Sequence, residues 1–293
     1  MTINRRRAAS SAISSAKKTG GHKNEEIYAS LIEGAVIKGT QKGDVKDKID
    51  FQYSVKSGKK WQVFLYGHDR IASSKYLKIL QPSLEAFPEN SEIYFRDRIR
   101  CIEFKEAYVK KHGREAAKLL PNRDVMEALG SNEYINSKSR LAKATSEACS
   151  KLEDKSFLRK FLAEALFNND EVTYLAVRDS TYKKDNVFKT FDREDVLDIF
   201  SNSLFPATSK AGHVPEDLNV SGQKTLLRYA QDDKVLKNIV EIEIRNDSDI
   251  HYRQVRFNMY SKDALFLLIE GLHGSTVSSP IKGLSYFGRA NKS

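Results

Sequence analysis

Cysteine is almost absent from this chain. Cys101 and Cys149 stand alone among 293 residues, with no CxxC pair and no histidine pair beside them. That excludes a disulfide-stapled scaffold and a zinc ribbon, and it suits a reducing, cytoplasmic compartment. Long apolar runs are missing too. No stretch approaches the roughly 20 residues needed to cross a bilayer, so a soluble protein without a membrane partner is expected. There is no GxxxxGK[ST] phosphate loop, no GxGxxG fingerprint and no GxSxG elbow, which leaves nucleotide hydrolysis, dinucleotide chemistry and serine-hydrolase chemistry without an anchor. His22, His68, His112, His213, His251 and His273 are scattered, with no spacing of the HExxH kind, and read as surface or packing residues.

What is present is positive charge and a well-distributed set of apolar residues. The aliphatic and aromatic content is that of a globular chain long enough for one large domain. The net charge is +10. Arg5, Arg6, Arg7, Lys17, Lys18 and Lys23 all precede the first acid, Glu25, which leaves only about +4 on the body. Residues 1–21 therefore read as a flexible basic tail. Two more specific readings stay open for it, a transit-peptide-like leader and an arm that tracks phosphates. Residues 22–293 read as a single domain.

Periodicity organises the rest. Asn24 is a plausible cap for a helix over 25–33, with Ile27, Leu31 and Ile32 on one face and Gly34 at its end. Residues 51–56 alternate as a strand, with Phe51, Tyr53 and Val55 on one side and Gln52, Ser54 and Lys56 on the other. The run from Trp61 to Tyr66 reads as a further strand that buries the far side of the first. The pattern turns helical from about 73 to 167, interrupted at Pro82, Pro88, Pro121 and the turn-rich GSNEYINS at 130–137. Strand character returns at 172–179. A helix is predicted within 192–205, then a polar loop at 209–222. The pattern closes with two alternating strands near 239–260 around a polar turn, and a helix capped by Ser261 and ended by Gly271.

The segment GDVKDKIDFQYSVKSGKKWQVFLYG, 43–67, concentrates acids and lysines on a predicted hairpin. If Lys48, Ile49 and Asp50 form a three-residue loop, Asp44 faces Ser54, and Lys56 stands on the same face one step further on. A carboxylate and a lysine would then converge on one spot. Magnesium suits such a setting, because it binds few protein carboxylates, keeps several waters and takes other ligands from phosphate. The lysine could steady a phosphate oxygen or act on the attacking water. The ordinary alternative is a solvated sheet edge.

Gly43-Asp44, nine residues, then Ser54-Val55-Lys56 resembles the PD-(D/E)xK nuclease superfamily, and the surroundings resemble a type II restriction endonuclease. The resemblance rests on about residues 22–66. It implies an α/β fold, a restriction-endonuclease-like mixed sheet flanked by helices, and a magnesium-dependent, sequence-specific endonuclease acting on double-stranded DNA as a homodimer. The residues it implies are Asp44, Ser54 and Lys56, with Glu26 on the preceding helix; Asp44 and Glu26 would hold Mg2+. Ser54 departs from the pattern, which places an acid there. Glu26, Glu33 and Asp50 are candidates for the missing carboxylate, and Gln62 for a supporting role. Lys59 and Lys60 would face phosphate. Arg245, Arg253, Gln254, Arg256 and Asn258, on or beside the closing hairpin, would contact DNA. Glu241 and Glu243 on that hairpin are expected to pair across strands with Arg256. Lys183, Lys184 and Lys189 read as a solvated face. The competing expectations are a non-catalytic DNA-binding protein and a less selective repair nuclease.

Overall fold

The structure, a computed structural model, describes residues 21–39, 42–86, 103–104, 106–118, 132–179, 187–208, 225–232, 235–244, 254–272, 276–278 and 283–287. The tail expected over 1–21 lies outside them up to position 20. The strands in chain order are β1 (Ala35–Val36), β2 (Val45–Lys46), β3 (Gln52–Lys56), β4 (Lys60–Gly67), β5 (Tyr174–Arg178), β6 (Phe188–Asp192), β7 (Phe205–Thr208), β8 (Thr225–Asp232), β9 (Val235–Ile244), β10 (Gln254–Tyr260), β11 (Thr276–Ser278) and β12 (Leu284–Phe287). The helices that matter to the argument are α1 (21–31), α2 (Asn132–Leu152), α3 (Lys155–Phe167), α4 (Arg193–Ser203) and α5 (Ser261–Gly271). The described residues are thus mixed α/β, and their strands form two sheets. One has seven strands in the order β1-β2-β3-β5-β6-β12-β11, the other five in the order β4-β10-β9-β8-β7. The residues divide into two compact units, 1–61 with 162–203 and 260–293, and 62–161 with 204–259.

In the first unit the sheet is mixed. β2 runs antiparallel to β3, β3 parallel to β5, β5 antiparallel to β6, and β6 parallel to β12. Partnered residues point to the same side of a sheet, so the registers sort the side chains into two faces. Tyr53, Val55, Ala176, Phe188 and Leu284 share one face and form a core with Tyr28 and Ala29 of α1. Tyr28 is fully buried, and its ring lies 5.5 Å from Tyr53 and 5.1 Å from Phe188, centre to centre. Its hydroxyl shares a 2.9 Å hydrogen bond with Thr190. Tyr53 stacks on Tyr174 at 4.9 Å. The opposite face carries Ser54, Lys56, Leu175, Val177, Lys189 and Phe191. α4 packs against β5 and β6 and against α5, where a side chain at Gly271 would collide with Ile199.

In the second unit β7 to β10 form antiparallel ladders. α2 packs on β7 and β8, and Phe64 meets Phe257 at 5.1 Å.

Three expectations need correction. α1 already runs through residue 21, so Asn24 lies inside it and not at its cap; the side chain is engaged elsewhere, as described below. Residues 132–137, expected as a turn, open the long helix α2, whose buried Leu141, Thr145 and Ala148 recur at helical spacing. Tyr260, not Ser261, occupies the N-cap of α5, without a side-chain cap bond. β4, although it follows β3 directly in the chain, leads the five-stranded sheet, and β5 takes the place next to β3.

Candidate active site

The hairpin that carries the site is held by its acids, each in a different way. Val45 faces Tyr53 and Lys46 faces Gln52. The Asp47 N–H donates to the Phe51 carbonyl at 3.1 Å, which leaves Lys48, Ile49 and Asp50 as the loop. This is the register that puts Asp44 beside Ser54. Asp47 clasps the turn: its carboxylate accepts the N–H groups of Ile49 and Phe51, each at 3.0 Å, and the Tyr53 hydroxyl at 2.9 Å. Asp50 takes the left-handed position of the loop, φ 72°, and pairs with Lys46 at 2.6 Å on the solvent side. Asp is among the residues that tolerate such a backbone.

Asp44 remains, and it does something else. Its Oδ2 accepts the Val55 N–H at 2.7 Å, Lys56 Nζ at 3.0 Å and Ser54 Oγ at 3.4 Å. All three bonds reach the same oxygen, so Oδ1 stands outside them. The Asp44 side chain is 21% exposed and that of Lys56 16%, so the pair is recessed but open to solvent. Ser54 is buried at 1%. The Gln52 side chain lies across Gly43: a Cβ there would lie 2.2 Å from Gln52 Oε1 and would displace that amide. That oxygen is buried and has no hydrogen-bond partner. The glycine before the acid was visible in the sequence, but the Gln52 side chain lying across it was not.

The other candidate acids lie elsewhere. Glu26 is exposed and sits about 200° around α1 from the buried Asn24. α1 covers the sheet face opposite to Asp44 and Lys56, so Glu26 is not brought to them. Glu33 pairs with Lys48 at the exposed end of the hairpin. Asp50 is at the hairpin tip, the end remote from Lys56. Gln62 is exposed on β4, in the second unit. Among the described residues no three His, Cys, Asp or Glu side chains converge as a metal cage.

Beyond Lys56 the strand end is tied to α1. Asn24 Nδ2 donates to Ser57 Oγ at 2.9 Å, and Arg178 donates to Asn24 Oδ1 at 2.6 Å. Gly58 turns the chain at φ +83°, and Lys59 and Lys60 are exposed, with Lys60 Nζ 4.9 Å from the Tyr260 ring centre. Lys189 is not part of a solvated face; it is ion-paired with Asp179, a residue only 4% exposed. Lys183 and Lys184 lie outside the described residues.

On the closing hairpin Arg256 faces Glu243 and Asn258 faces Glu241. Arg256 and Glu243 form an ion pair, as the alternation predicts; Glu241 is opposite Asn258 instead of the arginine. Asn258 is 5% exposed and offers no edge to a groove in this conformation. Gln254 is half-buried. Arg245 and Arg253 lie outside the described residues.

No family model, no curated protein and no solved structure matches this chain.

Proposed function

We propose that the chain is a magnesium-dependent endonuclease of the PD-(D/E)xK kind, hydrolysing phosphodiester bonds of double-stranded DNA in the manner of a type II restriction enzyme. The observation that supports this best is the convergence of Asp44 and Lys56, 3.0 Å apart, on one recessed but solvent-accessible face of the hairpin. The donor chemistry fits the cation. Asp44 supplies one hard carboxylate with an oxygen outside its internal bonds, and magnesium is commonly held by one or two carboxylates plus water and phosphate. Asp44 would hold the ion, which when bound would neutralise charge on the phosphate and lower the pKa of a coordinated water.

The remaining roles belong to the chain. The Val55 N–H and the Ser54 hydroxyl orient the Asp44 carboxylate, so its direction is set before substrate arrives. Lys56 has three N–H donors. One reaches Asp44, and the others are free to hold a non-bridging phosphate oxygen or to orient the attacking water. Hydrolysis joins the water oxygen to phosphorus and breaks one P–O ester bond, releasing an alcohol and a phosphate monoester. The extra charge on the phosphoryl oxygens in the transition state is what Lys56 stabilises. A palindromic recognition site would call for a two-fold dimer.

Ser54 in place of a second acid favours one other reading, a protein that binds DNA without cutting it. Plasmid incubated with the chain and Mg2+ separates the possibilities: discrete fragments support the restriction enzyme, a smear a less selective nuclease, and intact DNA with a mobility shift the binding protein.

A further inference from the structure

The nuclease reading uses one lysine–aspartate pair, but the same sheet face carries a second. Lys56 is the β-partner of Val177, and Val177 is in turn the partner of Lys189. Partnership preserves the face, so Lys56 and Lys189 point to the same side, two strands apart. At the usual strand spacing this places their Cα atoms about 10 Å from each other. Asp179 lies just past the end of β5, two residues after Val177, where its N–H donates to the Val187 carbonyl at 2.9 Å, and its carboxylate anchors Lys189 as Asp44 anchors Lys56. The row continues to Ser285 on β12.

The surroundings make this pair unusual. One row inward, Leu175 and Phe191 are buried at 4% and 0%, and Val177 between the lysines is 1% exposed. Lys189 stands beside that apolar platform, with part of its side chain still open to solvent. The side-chain exposure of Lys189, 20%, is close to the 16% of Lys56. An ion pair that only filled space would be replaceable by apolar residues at little cost. A recessed ammonium held in direction by a buried carboxylate, with donors to spare, is suited to grip a phosphate.

We propose that Lys189, positioned by Asp179, is a second phosphate-binding residue, which takes a backbone phosphate next to the one engaged at Asp44 and Lys56. The ligand is the sugar–phosphate strand of a nucleic acid, contacted without regard to base. Lys189 is then a binding residue and Asp179 a positioning residue; neither acts on the reacting atoms. This rests on the nuclease reading.

The test measures duplex binding by fluorescence anisotropy across a salt series, with Ca2+ replacing Mg2+ to prevent cleavage, and steady-state cleavage with Mg2+. Lys189→Ala is expected to weaken binding about three- to tenfold at 0.1 M salt and to reduce the log–log salt slope by about 0.9, one phosphate contact. The loss should fall on Kd and KM, with kcat at saturating DNA dropping far less than in Lys56→Ala. Lys189→Arg should restore the slope. Asp179→Asn should raise KM with the salt slope retained, since the ammonium remains but is no longer aimed. If Lys189→Ala does not fold, the double variant Asp179→Asn/Lys189→Met, which removes both charges at similar volume, is measured in its place with the same expectation for the slope. An unchanged Kd and slope in a folded Lys189 variant, with wild-type protein that cuts and binds, overturns this inference alone. Wild-type protein that neither cuts nor binds duplex DNA overturns it together with the nuclease reading.

Discussion

Two hairpins of this chain carry the same chemistry to opposite ends. In β2–β3 an aspartate and a lysine meet at 3.0 Å with side-chain exposures of 21% and 16%. In β9–β10 a glutamate and an arginine meet directly across the strands, and the glutamate is only 9% exposed. The first carboxylate takes its internal bonds on one oxygen and is reached by solvent. The second is enclosed, on a sheet face where Glu241, Asn258 and Leu226 are buried as well. An acid and a base on adjacent strands therefore do not define a site. What distinguishes the pair at Asp44 is access combined with fixed direction, whereas enclosure turns the pair at Glu243 into part of the interior.

The comparison is most sharply tested by removing the base from each hairpin. Lys56→Ala is expected to lower magnesium-dependent cleavage by about a thousandfold or more while specific DNA binding persists, because the lost interaction belongs to the transition state. Asp44→Asn should be as severe. Single-turnover cleavage assays beside a binding titration decide it, and near-normal cutting by either variant would remove the site from this hairpin.

Asp47→Ala should cost about 2–3 kcal/mol of stability, since two backbone N–H groups and the Tyr53 hydroxyl lose a charged acceptor. Its cleavage defect should be recovered at low temperature, which chemical denaturation and activity at two temperatures would check. An activity loss that persists in a fully folded Asp47 variant would show that this acid belongs to the chemistry and not to the turn.

Glu243→Gln should cost about 1–3 kcal/mol by leaving Arg256 half-buried without its counter-charge, and adding Arg256→Met should return part of it. Cleavage per folded molecule should not change in the pair of variants. A specific loss of activity without a stability change would make the second hairpin a working site after all.

Alkaline pH probes the face of the first sheet that α1 covers. Burial, more than any other cause, raises the pKa of Tyr28, Tyr53, Tyr174 and Tyr286, with the Asp47 charge adding to it for all four. The folded chain holds these phenolic protons more tightly than the unfolded chain. Their contribution to stability is complete below the ordinary tyrosine value of about 10 and is lost as pH rises beyond it. Titration of phenolate absorbance should show Tyr28 and Tyr53, among the 13 tyrosines, ionising only as the chain unfolds, and Tyr174 and Tyr286 ionising above the ordinary value. Thirteen tyrosines titrating together in folded protein would contradict the packing of α1 on β3.

The smallest effect is expected at Ser54. Ser54→Ala removes a long 3.4 Å bond to Asp44 and should reduce cleavage by about tenfold or less, with stability changed by no more than about 1 kcal/mol. A loss equal to that of Asp44→Asn would mean that the hydroxyl is itself a ligand.

Local rules made the hairpin legible. Alternation assigned Tyr53 and Val55 to one face and Ser54 and Lys56 to the other, and the loop length alone set which residues oppose each other, because a turn joins strands that are adjacent in the chain. Within that register the sequence determined that Asp44 and Lys56 meet. The same rules predicted that Arg256 pairs with Glu243. The spacing could not tell that Asp47 clasps the turn, since three acids at intervals of three look alike until their hydrogen bonds are formed.

The non-local choices belonged to the tertiary structure. Whether β3 takes β4 or β5 as its second neighbour depends on which partner buries Tyr53 and Val55 against α1, and the chain between them is more than 100 residues long. That choice sends β4 to another sheet and brings Val177, Lys189 and Asp179 alongside Lys56, residues that no motif links to it. It also sets the roles of Glu26 and Asn24: α1 is seated by the burial of Tyr28, which turns Asn24 toward Ser57 and Arg178 and Glu26 toward solvent. Hairpin register follows from hydrogen bonds a few residues apart, while strand order and helix rotation follow from the burial of side chains distant in sequence, so only the first could be read along the chain.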